Sequence, residues 1–406
     1  MSNMKNLICR LAALLLSSLI FCACTSTRKS YVDPDKISYL EVPGFHAMPK
    51  LGVYEWSAAG DDSSLVTATL RAPRGLRLRW LGTAGFELGD DRTTILIDPF
   101  VSRPRVAELA HELVVDTAAV NRYVLAPLRK ENLKAILVSH PHHDHFEDVP
   151  YILAQFADAE TRPLVLGGRN VGQLLQGYSA TCKVQWAREV GGLHDTRTHL
   201  IEFTPQHKTC QNPTNQIPCP AGSFGDFSIT AFGSDHPSYD YLPGVVLDGL
   251  VSGQAPYRAV EYKTWQNTSI GFLIEYRGLR FFFTESPIVR HADQIGRVDV
   301  LIQGIASRRE SDFIANTMAA VQPRYVIPSH YDDFFRPFSD FQQFDAKIGE
   351  GPLDFSRFEE FVRGYEEQYL GRARTLLKNP NPAFHPRLRL LKLFYYYSLE
   401  KLVPAQ

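Results

Sequence analysis

Residues 139–146 read SHPHHDHF, and within them His140, His142, Asp144 and His145 follow the pattern HxHxDH. Four strong metal ligands are packed into six residues. Imidazole nitrogen and carboxylate oxygen form a ligand set that suits zinc, with iron and manganese as close competitors. Alternation in an extended segment sends His140 and His142 to one side, while Asp144 and His145, at the turn that follows, can face a second point in space. The spacing therefore points to two adjacent metals. A histidine-rich surface loop is the plainer reading of any single histidine, but the flanks argue against it. KAILVS before the motif reads as a buried strand ending at Ser139, and EDVPYILAQF after it has helical periodicity. Ligands at the carboxyl end of a strand occupy the usual place of an active site in a layered α/β fold.

The motif and its setting resemble the metallo-β-lactamase superfamily over most of residues 76–332. LRLRWLGTAGFEL is similar to the opening hairpin of that fold, and Asp98 in TTILIDPF matches the acidic residue those proteins carry near the metal site. A third histidine is expected at a strand end. FSITAFGSDH offers His236, and LIEFTPQH offers His207 as a competitor. His236 is favoured because the hairpin NTSIGFLIEYRGLRFFFTES, which resembles the family's next element, follows it in order. His330, in RYVIPSHYDDF, resembles the last ligand. The resemblance implies an α/β, four-layer αβ/βα fold: two β-sheets packed face to face with helices outside. It further implies that His140, His142 and His236 hold one divalent ion and that Asp144, His145 and His330 hold the other, most naturally zinc.

One position departs from the family. Where an aspartate should bridge the metals in a glycine-aspartate-threonine triplet, this chain has Thr284, Glu285 and Ser286. Glutamate carries the same ligand atoms on a stem one methylene longer, so Glu285 can bridge only if its carboxylate bends back or the metals move apart. The implied chemistry is hydrolysis of a phosphodiester, lactone, ester or amide by water activated at the paired metals, with Asp144 as the catalytic carboxylate that orients the nucleophile. His143, Asp235, Tyr331 and Asp332 lie beside ligands and either support them or touch substrate.

The amino terminus is MSNMKNLICRLAALLLSSLIFCACTSTRKS. Lys5 and Arg10 precede an apolar run too short to span a bilayer comfortably, and the small residues after it complete the pattern of a secretory signal over residues 1–23. FCAC resembles a bacterial lipobox, which would make Cys24 an acylated amino terminus and lead into a tether and extension over residues 24–75. The chain is then expected in the cell envelope, on the membrane through its lipid anchor, in the periplasm or outer membrane if the cell has two membranes. Of the cysteines beyond the signal, Cys210 and Cys219 flank QNPTNQIP and are expected to form a disulfide in an oxidising compartment. Cys182 is left as a free, buried thiol. The spacing gives no paired CxxC zinc ligands.

The 406 residues carry 43 basic and 44 acidic side chains. Loss of Lys5 and Arg10 with the signal leaves 41 against 44, a net charge of −3, which argues against nucleic acid as the main partner. A catalytic domain is expected over residues 76–333 and a helical extension over residues 334–406. Val101 to Glu131 reads as a mostly helical insertion, and Pro243 to Trp265 as a loop over the active site. In the tail, HPRLRLLKLFYYYSLEKL reads as a helix, packed on the domain rather than on a membrane because its apolar residues lie all round.

The expected function is a metal-dependent hydrolase acting on a small-molecule or lipid-like substrate. WLGTAGFEL and GFLIEYRGLRFFF resemble the branch of N-acylphosphatidylethanolamine phospholipases D and ascorbate-phosphate lactonases, which implies a phosphodiester or lactone more than a β-lactam. The alternatives are a catalytically silent metal-binding protein of the same fold, which Glu285 favours, and an iron-dependent redox member.

Overall fold

Apolar strands with both faces covered dominate the chain, and they pair into two large mixed sheets in a computed structural model. It describes residues 46–47, 54–55, 71–156, 162–181, 183–184, 198–200, 219–236, 247–286, 288–305, 311–330, 332, 334–338, 369–377, 384, 386–389, 391 and 393–402. A separate short hairpin pairs β1 (His46–Ala47) with β2 (Tyr54–Glu55).

The first sheet begins as an antiparallel meander of β3 (Arg77–Gly82), β4 (Gly85–Gly89) and β5 (Thr94–Ile97). It continues in parallel through β6 (Leu133–Leu137), β7 (Leu164–Gly167) and β8 (Thr198–Leu200). Between β6 and β8 the chain crosses through α1 (His143–Phe146), α2 (Val149–Ala154) and α3 (Arg169–Ala180). The second sheet starts with antiparallel β9 (Cys219–Phe224), β10 (Phe227–Asp235), β11 (Thr268–Tyr276) and β12 (Leu279–Thr284), with β13 (Ile288–Val289) at the far edge of β10. Parallel β14 (Val300–Gly304) and β15 (Tyr325–Ser329) follow, joined by α4 (Ser311–Val321). Parallel strands covered on both faces read as continuous apolar runs. AIL in β6 and VLI in β14 are such runs, and every residue of β14 is buried.

The sheets face each other, with helices outside, as the four-layer expectation requires. Phe86 of β4 meets Phe283 of β12 edge-on, with ring centroids 6.1 Å apart. Backbone bonds also tie strand ends across the sandwich: Ile270 N donates to Ser139 O at 2.8 Å, and His330 N to Thr83 O at 2.9 Å.

The Val101–Glu131 insertion carries helical turns at Val106–Ala110 and Lys130–Asn132 and a continuous helical run from Thr117–Ala119 into Val120–Leu125. One expectation changes. The tail segment read as a helix forms strands instead: β16 (Arg387–Leu388) extends the second sheet beside β15, and β17 (Tyr396–Ser398) covers the edge of β3. An uncovered edge is a liability, and aromatic residues favour pleated surfaces over helices. Tyr396 takes the Arg79 guanidinium over its ring at 4.7 Å and donates its hydroxyl to Glu87 at 3.3 Å. The described tail also has a short helix, α5 (Gly371–Leu376), and a 3-10 turn at Glu400–Leu402. Among the described residues no helix is long and apolar enough to cross a membrane.

Cys219, fully buried at the start of β9, is disulfide-bonded. Cys24, Cys182, Cys210, His207 and Tyr331 lie outside the described residues.

Candidate metal centre

Strand ends deliver the chemistry. β6 leads into His140 and His142, β10 into His236, β12 into Glu285, β15 into His330 and β5 into Asp98. All of these arrive at one rim of the sandwich.

His140, His142 and His236 converge there, each offering a ligand atom within 4.8 Å of the other two, and Asp144, His145 and His330 form a second such group. The groups adjoin. The rings of His140 and His145 lie 3.9 Å apart, and His330 Nε2 sits 3.0 Å from Asp144 Oδ2. Only His236 is more than slightly exposed.

A histidine ligates through the nitrogen that its second partner leaves open. The Ser139 hydroxyl donates its single proton to Asp98 Oδ2, so it must accept from His140 Nδ1 at 3.0 Å. That leaves Nε2 of His140 for a cation. His142 turns Nε2 to the Leu247 carbonyl at a long 3.4 Å. His145 donates Nδ1–H to Asp98 Oδ2 at 2.8 Å, which leaves Nε2. His330 Nδ1 and Glu285 Oε2 are buried polar atoms with no hydrogen bond. Buried polar groups without partners are rare and call for an explanation.

Protonation divides the two groups. Burial, reinforced by the neighbouring histidines, pushes His140 and His142 well below the usual imidazole range, so both are neutral donors at pH 7. Burial also opposes charge on His145, but Asp144 and Asp98 outweigh it and lift its pKa to about 9. Burial would likewise raise Asp144, yet His145 and the hydrogen bond from His330 hold it well below the carboxylate range. The second group is thus an ion-paired cluster whose proton a cation would replace. Neutral imidazoles beside an ionised carboxylate are the donor set divalent metals take.

Glu285 stands next to these groups and belongs to neither. It is buried, and its Oε1 accepts from the Ser329 hydroxyl at 2.6 Å. Burial raises its pKa to about 7 against the pull of His330 and His145. Gly304 makes room for it, since a Cβ there would collide with Oε2 and approach the carboxyl carbon to 2.8 Å.

The family profile of the beta-lactamase superfamily domain matches residues 77–330, from the first residue of β3 to the last histidine of the centre. The chain belongs to this superfamily. All six residues of the two donor groups, with Asp98 and Glu285, fall inside the matched domain, and β16 and β17 lie beyond it. Solved structures similar to the chain include a metallo-hydrolase from the archaeon Ignicoccus hospitalis, at 13% identity over 78% of this chain and 95% of that one, with a TM-score of 0.38. The short form of human tRNase Z has 11% identity over 63% and 92%, with a TM-score of 0.39. YhfI of Bacillus subtilis has 14% identity over 80% and 99%, with a TM-score of 0.38. No curated protein matches the chain.

Around the superfamily motif, several contacts had no signal in the sequence. Ser139, Ser329, Thr83 and the Leu247 carbonyl each touch a residue of the centre, and only the two serines adjoin a ligand in the chain. Part of the expected covering loop, Leu247 to Trp265, does lie over His142. Asn170 anchors it by donating to the carbonyls of Gly249 and Lys263 at 2.8 and 2.7 Å. Of the residues beside ligands, Asp332 turns away from the centre into a buried ion pair with Arg103, and Asp235 pairs with Arg290. His143 faces an aromatic group formed by Phe100, Tyr262, Phe334 and Phe335.

His330 adopts a left-handed backbone with φ 63°. For a residue other than glycine this costs on the order of 1–3 kcal/mol and persists only where the surroundings fix it.

Proposed function

We propose that this superfamily member is a hydrolase that uses two divalent ions, most naturally zinc, to cleave a phosphodiester, lactone or ester at the cell envelope. The adjoining donor groups carry the reading: three imidazoles on one side meet a carboxylate and two imidazoles on the other. Bound divalent ions lower the pKa of coordinated water toward 7 and stabilise charge developing on the attacked group. His140, His142 and His236 would hold one, and Asp144, His145 and His330 the other.

The side chains supply the rest. Asp144 stays ionised and is placed to orient the attacking water and accept its proton. Asp98 fixes the His145 ring through Nδ1, and Ser139 fixes His140. The segment from Leu247 to Trp265 shields His142 from bulk water. The opening-hairpin resemblance favours a phosphodiester or lactone, and an acylated Cys24 behind a cleaved signal would bring lipid-like substrates within reach.

Glu285 supports a second reading, a metal-binding protein without turnover, because it replaces the family's bridging aspartate and its Oε1 is already held by the Ser329 hydroxyl. A panel of chromogenic phosphodiesters, lactones and esters, run on metal-loaded protein beside an elemental analysis, separates the readings. Turnover that is lost on chelation and restored by zinc is expected. Bound metal with no turnover across the panel favours the binding protein, and bound iron favours a redox member.

A further inference from the structure

We propose that Arg103 and Asp332 are positioning residues for His330: a solvent-free ion pair that holds this ligand in the left-handed conformation from which it reaches Asp144. The proposal rests on His330 being a metal ligand, and the experiment below separates failure of that premise from failure of the proposal.

A strained backbone is stable only when its neighbours over-determine it. The neighbours here form a chain of contacts. His330, at φ 63°, donates its backbone N–H to Thr83 O at 2.9 Å. Thr83 is itself left-handed, at φ 49°. Its N–H points between the two carboxylate oxygens of Asp332, 2.9 Å from each. Asp332 lies two residues beyond His330, so the same turn is gripped on both sides of the ligand. A carboxylate in this position needs a counter-charge, and Arg103 provides it, with both side chains 0% exposed.

The surroundings are shaped around the pair. Gly82 has φ 98°, and a Cβ on it would collide with the Arg103 guanidinium and come within 3.0 Å of the Asp332 carboxylate. Phe338 covers the guanidinium, whose central carbon is 4.0 Å from the ring centroid, and Phe338 in turn packs on Tyr123 and Phe394 at 5.1 and 5.2 Å. Water is kept out, which makes the electrostatic interaction stiff.

Stability alone does not account for this arrangement. Apolar side chains of similar volume usually match or exceed a buried ion pair in stability. They cannot accept a hydrogen bond from the Thr83 N–H. What the pair adds is a fixed anion at the end of the opening hairpin, clamped by a residue of the insertion that follows Asp98. Three segments distant in sequence are locked at the position where the last ligand leaves β15.

The test uses the full chain, stripped of metal and titrated with cobalt(II), whose visible spectrum reports the ligand geometry. Metal-free melting is recorded for every variant. Arg103→Met leaves Asp332 as an unpaired buried charge and can fail to fold, so the deciding variant is the double substitution Arg103→Met with Asp332→Leu. We expect its metal-free melting to fall modestly, because the Thr83 N–H loses its acceptor, while its second cobalt equivalent binds roughly 10- to 100-fold more weakly with an altered spectrum, the range typical for loss of residues that support a ligand. The first equivalent, on His140, His142 and His236, keeps its affinity. Arg103→Lys should recover part of the loss. A double variant that still folds cooperatively and binds both equivalents unchanged would overturn the proposal. His330→Ala is the control: if it leaves the second equivalent intact, the premise fails and the proposal goes with it.

Discussion

The Ser329 hydroxyl donates to Glu285 Oε1 at 2.6 Å, while Oε2 of the same carboxylate occupies the space kept open by Gly304. The longer stem of glutamate is therefore housed, with a donor on one side and a missing side chain on the other. An aspartate at this position would sit in a frame built for a longer residue. We expect Glu285→Asp to impair metal content and turnover rather than improve them, by roughly 10-fold or more. Glu285→Gln should be worse, because an amide is a poor bridging ligand. Metal content and kcat/KM of both variants are the measurements, and a gain in both for Glu285→Asp would favour the silent-binder reading.

Asp98 holds three donors at once: the backbone N–H of Ser139 at 2.7 Å, the Ser139 hydroxyl, and His145 Nδ1. Asp98→Asn keeps one acceptor oxygen and puts an amide donor where Ser139 or His145 now donates, so the His145 ring loses a contact that fixes it. Affinity of the Asp144, His145 and His330 group for zinc should fall roughly 10- to 100-fold. Competition with a chromogenic chelator would show it, and an unchanged affinity would remove Asp98 from the supporting contacts.

Metal loading should depend on pH differently in the two groups. In the metal-free chain His145 titrates near 9, so below that pH a cation must displace its proton, and apparent affinity of the second group should rise about tenfold per pH unit toward 9. His140 and His142 titrate well below 6.5 and are already neutral, so these two ligands add no pH dependence above that value. Cobalt titrations at several pH values between 6.5 and 9, with proton release followed by calorimetry, test both slopes. Two equal slopes would contradict the assignment of charge.

Acylation at Cys24 predicts that Cys24→Ser moves the protein from the membrane fraction to the soluble one, since at least two acyl chains are needed for stable anchoring. An unchanged distribution would leave the FCAC resemblance without consequence.

Much of the centre is legible in the sequence because its donors are local. His140, His142, Asp144 and His145 sit in one motif, and His236 and His330 each end an apolar run that reads as a strand. The supporting contacts are not legible, because the topology brings them from far away. Thr83 meets Asp332 across 249 positions, and Arg103 meets it across 229. No periodicity links such residues. The tail departs from its helical pattern for a related reason. LRLLKLFYYY is apolar enough for a buried helix, and what makes it two strands is the set of strand edges left open at β15 and β3.

The most direct test of the account is elemental analysis of gently purified full chain. It should find about two divalent ions per chain, with one lost in the variant carrying both His140→Ala and His142→Ala and one lost in His330→Ala. A chain that purifies folded without metal, or whose metal content is unmoved by these substitutions, would contradict it.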